Sequence, residues 1–242
     1  MYLMKDKPKV YNIVYGETNI SFSLIQSQRK TLEISVLPDM SVEVKAPVKA
    51  QLDEIKKRVY KRGYWILKRQ QEFETYLPSQ PVRKYISGET HRYLGKQYRL
   101  KILKGTEPQV KLIRGFLQVY VPDKKDSKLI KELLEDWFSE HAKSILKNRF
   151  DECRKKIKFK LPKQPELVLR NMKTRWGSCT KDGRIILNPK LIHASTSCID
   201  YVIIHELCHL IEHNHSKKFY ELISKAIPNW RERQKKLNQI LV

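Results

Sequence analysis

The 242-residue sequence predicts an α+β protein: an N-terminal antiparallel β-rich region with a helix, then a second β run, a long helix and a C-terminal region centred on one further helix. Three observations predict this. Residues 11–46 and 92–121 place apolar side chains at every second position, the period of half-buried strands. Residues 50–76 and 127–157 change to the period of an amphipathic helix. A hydrophobic share of 40% with 10% aromatics is too apolar for a disordered basic chain and supplies a packed core.

In the first block, Ile20-Ser21-Phe22-Ser23-Leu24, Leu32-Glu33-Ile34-Ser35-Val36 and Val42-Glu43-Val44 alternate, with a turn at Pro38-Asp39. Pro47 ends it. The helix that follows turns Leu52, Ile55, Val59, Ile66 and Phe73 inward and carries Lys56, Lys57, Arg58, Lys61, Arg62, Lys68 and Arg69 on the other face. Tyr60, Tyr64 and Trp65 are interleaved with these cations. Periodicity puts some of the aromatics near the apolar stripe, so inward packing is the expectation, and base stacking among phosphate-binding cations is the alternative. Pro78-Ser79-Gln80-Pro81 reads as a connector, dividing the chain into 1–80 and 81–242.

Beyond the connector, strands are expected at 92–94, 97–103, 110–113 and 116–121, separated by Gly95, Gly105 and Gly115. The helix over 127–157 buries Leu129, Ile130, Leu133, Leu134, Trp137, Phe138, Ile145, Leu146 and Phe150, with His141 packing at its edge. The last third holds strands at 166–171, 174–179 and 184–188, the latter two joined by Lys181-Asp182-Gly183, a D-G hairpin signal. A helix starts near Cys198, with Ser197 and Asp200 resembling a capping box. No internal repeat is visible in the sequence.

Lys and Arg number 49 against 26 Asp and Glu, a formal charge of 49 − 26 = +23. Such an excess suits either a polyanionic partner such as nucleic acid or a strongly solvated surface. No run approaches the ~18 apolar residues of a membrane span, and the first residues lack the apolar run of a secretory signal. Cys153, Cys179, Cys198 and Cys208 form no C-x-x-C pair. Isolated thiols in a reducing cytosol are the expectation.

The chemistry concentrates in His205-Glu206-Leu207-Cys208-His209. Four residues apart on a helix, the two imidazoles lie about 40° apart in azimuth and one turn apart in height, so both reach one cation. The intervening glutamate is suited to take a proton from water whose acidity the metal raises. A third ligand is required, with water in the fourth place. On a continuous helix His213 would lie about 12 Å, and His215 about 15 Å, along the axis from His205. The helix must therefore break, and Asn214 can adopt the left-handed conformation that ends helices. His215 then returns to the first two ligands, with Ser216 capping a helix that carries Phe219, Leu222, Ile223 and Ala226. His213, Glu221 and Glu232 are the alternatives. Cys208 faces away and reads as a small buried residue.

Met172-Lys173-Thr174-Arg175-Trp176-Gly177-Ser178-Cys179, Ile186-Leu187-Asn188, the segment from Ile199 to Leu210, and Asn214-His215-Ser216 with Phe219 together resemble the YgjP-like branch of zinc metallopeptidases, relatives of the SprT-like proteases. The resemblance reaches upstream to Arg29-Lys30-Thr31-Leu32 and Tyr93-Leu94-Gly95-Lys96, and so spans nearly the whole chain. It implies a zincin-like catalytic region and one Zn²⁺, or another divalent ion, held by His205, His209 and His215. It further implies Glu206 as general base and a peptide or protein substrate. SprT-like relatives include proteases acting on DNA-attached proteins, which would suit the charge. Glu212 stands where the related metzincin spacing has glycine. Arg175 or Tyr220 could polarise the scissile carbonyl, Trp176 is expected in the core with Gly177 at a bulge, and the 184–188 strand would offer an edge to an extended peptide. Two other readings remain: a basic nucleic-acid-binding protein with a structural metal, and a metal-dependent hydrolase of a non-peptide bond.

Overall fold

The computed structural model describes residues 9–37, 39–74, 83–172 and 175–240. The expected Pro78–Pro81 connector, Pro38 of the first turn and Lys173-Thr174 lie outside them, as does the Phe73 side chain. The chain is α+β and falls into two compact units, the first ending at Gln80 and the second running from Pro81 to Ile240. No helix among the described residues is long and apolar enough to cross a membrane.

The first unit holds β1 (Lys9–Tyr15), β2 (Thr18–Ser27), β3 (Glu33–Val36) and β4 (Val42–Pro47) in the order β1-β2-β4-β3. The alternation places Ile20, Phe22 and Leu24 of β2 and Val42, Val44 and Ala46 of β4 on one buried face, because successive side chains on a strand point to opposite sides. The sheet is antiparallel-rich, but β2 and β4 run parallel, with Phe22 opposite Val42 and Leu24 opposite Val44. Alternation reports which side chains are buried and is silent on strand direction, so the expected all-antiparallel block is corrected here. A basic helical segment covers the buried face in two pieces, α1 (Leu52–Lys61) and α2 (Gly63–Glu74). Ile55, Val59 and Ile66 close the core as expected. The break falls at Gly63, which lies flat against the Tyr15 ring; a Cβ there would stand 2.2 Å from Tyr15 Cδ2.

The second unit opens with β5 (Thr90–Tyr93), β6 (Lys96–Lys104), β7 (Gln109–Ile113) and β8 (Phe116–Val121), ordered β5-β6-β8-β7. This is the arrangement of the first unit over again: outer hairpins antiparallel and the central pair, β6 and β8, parallel. A helix follows the fourth strand in both cases. The repeat is one of topology, with too few identical side chains to be seen in the sequence.

The helix after β8, α3 (Ser127–Lys156), begins where Asp126 accepts a hydrogen bond from the Leu129 N–H at 2.9 Å. It ends on Arg154, Lys155 and Lys156, which suit the negative end of the helix dipole. Ile130, Leu134, Phe138, Ala142, Leu146, Phe150 and Cys153 make its buried stripe, an i, i+4 progression facing one side. Leu129, Leu133, Trp137 and Ile145 flank it, half-buried. His141 stacks on Trp137 at 3.8 Å and bonds the Trp137 carbonyl, in keeping with edge packing.

A small sheet of β9 (Glu166–Leu169), β10 (Gly177–Cys179) and β11 (Arg184–Leu187) comes next, in the order β10-β11-β9. The D-G turn forms as expected, with Gly183 at φ +94°. A 3₁₀ turn (Pro189–His193) leads to α4 (Thr196–Cys208), and α5 (Lys217–Ala226) and α6 (Trp230–Asn238) complete the unit. The α4 cap is Ser195, two residues before the expected Ser197. Asp200 is instead gripped through both carboxylate oxygens by Arg149 of α3. Gly95 in the β5–β6 turn meets Ser195: a Cβ on Gly95 would lie 2.8 Å from Ser195 Cα. That hairpin thereby abuts the start of α4.

Candidate active site

The helix α4 is buried almost all round, and its last turn carries His205 and Glu206, with His209 as the C-cap. The chain leaves the helix at once: the Leu210, Ile211 and Glu212 N–H groups fold back onto Leu207 and Cys208 carbonyls. Ser216 then caps α5 by accepting from the Phe219 N–H. The break therefore comes earlier than Asn214. Asn214 does not adopt a positive φ; the regular helix has already given way to a hydrogen-bonded turn after Cys208.

This reversal brings His215 back to the first two histidines. Ligand atoms of His205, His209 and His215 all lie within 4.8 Å of one another, and the Nε2 atoms of His205 and His215 are 3.1 Å apart. Two ligands at ~2.0–2.1 Å from one tetrahedral zinc are about 3.3 Å apart, so the spacing fits a shared ion. Phe219 packs against all three rings, with centroid distances of 4.6–4.9 Å. His209 Nδ1 faces the Glu212 carbonyl at 3.1 Å, a contact that places the proton on Nδ1 and leaves Nε2 as the lone-pair donor. His205 Nδ1 is buried with no hydrogen-bond partner among the described residues. Burial, reinforced by the neighbouring imidazoles, lowers His205 to about 3. His209 and His215 are also lowered, chiefly by burial. Neutral imidazole is the ligating form.

His213 is exposed and outside this group. Glu221 and Glu232 do not join it either. Among the described residues no fourth Cys, His or carboxylate completes the set, which leaves a place open, as in catalytic zinc sites. Cys208 is fully buried, as expected.

Glu206, which follows His205 in the chain, is buried to 6% exposure. Desolvation raises its carboxyl to about 8, while the Arg175 charge and a hydrogen bond from the Cys179 backbone N–H pull the other way. Its carboxylate lies against Gly177: a Cβ on Gly177 would stand 2.6 Å from Glu206 Oε1. Gly177 is thus the residue that admits Glu206, a role different from the expected bulge. Trp176 is half-buried against the core of this unit. Asn188, 2% exposed, donates through Nδ2 to the Met172 and Arg175 carbonyls and accepts from the Lys190 N–H. It ties the segment before β10 to the end of β11. Gly177, Cys179 and Asn188 stand inside the quoted sequence blocks, but their partners are distant in the chain and could not be read from them.

One correction concerns the walls of the site. The strand at 184–187 is central, flanked by β10 and β9, so it offers no edge; β10, next to Glu206, is the outer strand. On the other side, Tyr201, Phe219, Tyr220, Ile223, Trp230 and Gln234 line a cavity of about 200 Å³ with His205 and His215. Tyr220 is stacked on Trp230 at 5.3 Å.

The site, a trio of imidazoles on a helix and its return beside a buried glutamate, has the form of a metal-dependent hydrolase centre. The sequence profile of a family described as "YgjP-like, metallopeptidase domain" matches residues 30–240, and the chain belongs to this family of metallopeptidases. No curated protein matches the chain. Among solved structures it is similar to the metallopeptidase zymogen of Pyrococcus abyssi abylysin, with 22% identity and a TM-score of 0.34 over 38% of this chain and 90% of that one.

Proposed function

We propose that the protein is a zinc-dependent metallopeptidase, with His205, His209 and His215 as the metal ligands and Glu206 as the general base. The convergence of the three imidazole nitrogens beside a buried carboxylate carries this reading. A divalent ion held there supplies Lewis-acid chemistry, acidifying water and polarising a peptide carbonyl. The chain's own residues do the rest. Glu206, steadied by the Cys179 N–H and the absence of a side chain at Gly177, takes the proton from water at a carboxylate oxygen and returns it to the leaving amine. The outer strand β10 can pair with an extended substrate backbone. The aromatic cavity beside His205 suits an apolar substrate side chain. Tyr220 lines the cavity with His205 and His215, and this supports assigning its hydroxyl the donor role toward developing negative charge.

A structural metal would call for a closed shell of four ligands, and the three-histidine group speaks against it. Four free cysteines, three of them buried, suit a reducing compartment, and we place the enzyme in the cytosol. Glu206→Gln keeps the shape and removes the base. One bound metal ion per chain with peptide hydrolysis reduced at least a hundredfold is the expected result in a peptide-library digest. Full hydrolysis by that variant at equal metal content contradicts the assignment.

A further inference from the structure

A cavity of about 500 Å³ opens on the first unit, far in sequence from the histidines, lined by Leu32, Ile34, Arg58, Lys61, Arg62 and Trp65. Residues 58, 61, 62 and 65 follow the i, i+3, i+4, i+7 spacing of one helix face, carried across the junction of α1 and α2 by the Ile66 N–H to Arg62 carbonyl bond. The core stripe, Ile55, Val59 and Ile66, runs alongside it, about a quarter turn round the helix. Gly63 is pressed onto the Tyr15 ring, which anchors the junction of α1 and α2 to β1.

The cations are not spent on the protein itself. Among the described residues Arg58, Lys61 and Arg62 make no ion pair or side-chain hydrogen bond. The nearest carboxylate in sequence to the apolar floor, Glu33, is held by Arg29 at 3.1 Å. Trp65 is 40% exposed and Tyr64 69%, and Tyr60 leans edge-on against Tyr15 at 5.2 Å. The expected inward packing of these aromatics is therefore overturned. In the second unit the helix after the matching four strands packs against α4. In the first unit Arg58, Lys61, Arg62 and Trp65 are exposed.

Flat apolar rings among unpaired cations select a ligand with both planar faces and repeated negative charge. An acidic peptide has the charge without the planes. Duplex nucleic acid keeps its base faces stacked inside. A single strand presents both. We infer that this cavity is a binding site for single-stranded nucleic acid, with a base stacked on Trp65 and phosphates on Arg58, Lys61 and Arg62. The site is independent of the peptidase reading.

Fluorescence anisotropy of the full chain with a labelled oligothymidylate of about 12 nucleotides, titrated at several salt concentrations, tests it. Trp65→Ala is expected to weaken binding roughly tenfold, the loss of one stacked base, without changing the salt slope. The double variant Arg58→Gln/Arg62→Gln is expected to lower that slope by about 1.4, at ~0.7 per phosphate contact. Lys143→Gln/Lys147→Gln, exposed on α3, should change neither affinity nor slope by a comparable amount. Trp65→Phe keeps a stacking ring, so it should bind within a few-fold of wild type while losing the tryptophan quenching seen on binding. The inference is overturned by wild-type affinity in Trp65→Ala, by an equal effect of the α3 pair, or by polyglutamate or a duplex of the same length binding as tightly as the single strand. Hydrolysis of a free peptide should be the same in Trp65→Ala as in wild type, which separates this test from that of the active site.

Discussion

At Gly177 a single hydrogen decides the geometry of the site. A methyl group there would lie 2.6–2.9 Å from three atoms of the Glu206 side chain, closer than any contact a carboxylate can accept without moving. Gly177→Ala should displace the base, and displacement by about 1 Å costs on the order of a hundredfold in rate. The check is peptide hydrolysis at unchanged metal content, since Glu206 is not among the grouped histidines. Asn188→Ala removes three hydrogen bonds from a buried position and should cost about 2–3 kcal/mol in urea unfolding, as carbonyls are left unpaired. The return of His215 to the other two histidines depends on the turn after Cys208, whereas the meeting of His205 and His209 is legible in the sequence because four-residue spacing is a helix property. Gly177 and Asn188 could be noticed there but not explained, since their partners are fixed by tertiary packing. The exposure of Trp65 is not legible for a related reason: its position flanks the stripe of Ile55, Val59 and Ile66, where a ring can turn inward or outward and tertiary packing decides which.

Among the elements, α3 and α4 form the pair on which the site depends. Arg149 bonds both oxygens of Asp200 with each partner only about a fifth exposed. Asp200→Ala leaves Arg149 with only Glu152 as partner among the described residues and should lower stability by about 1–2 kcal/mol, read as a shift in the urea midpoint. The sheet that carries α3 has its own pH signature. His91 is buried between Arg83, whose Nη1 lies 2.6 Å from His91 Nδ1, and Glu89 at 3.7 Å from Nε2. Phe138 and Tyr85 flank its ring, and His193 contributes a further unfavourable charge interaction. Burial, then Arg83, then His193, lowers His91 to about 4. Its folded value is below the unfolded 6.5, so the unfolded chain binds the extra proton first. The stability linked to neutral His91 is complete above pH 6.5 and is lost as pH falls toward 4, at most about 1.4 kcal/mol per unit. Unfolding midpoints measured at pH 7 and pH 5 should differ, and His91→Phe should shrink that difference. Strand and helix existence was readable from period for nearly every element. Strand direction was not, and the parallel pair at the centre of both four-stranded sheets had to be seen in three dimensions.

For the whole molecule, the +23 charge and the histidine site are distinct assets. One topology, four strands and a helix, is used twice: the second copy's helix supports α4, and the first copy's helices present cations and aromatics to solvent. The duplication escaped the sequence because a shared fold needs shared burial pattern, not shared residues. A ligand that binds only the folded state stabilises it. Added zinc should therefore raise the thermal midpoint of the metal-free chain by several degrees, and His205→Ala should abolish the rise. The most direct test of the peptidase account is a zinc titration of the metal-free chain with peptide hydrolysis followed in the same sample. Hydrolysis should climb linearly to one equivalent and then level off, and His215→Ala should stay at baseline throughout. Hydrolysis that is indifferent to metal, or that survives undiminished in His215→Ala, would contradict it.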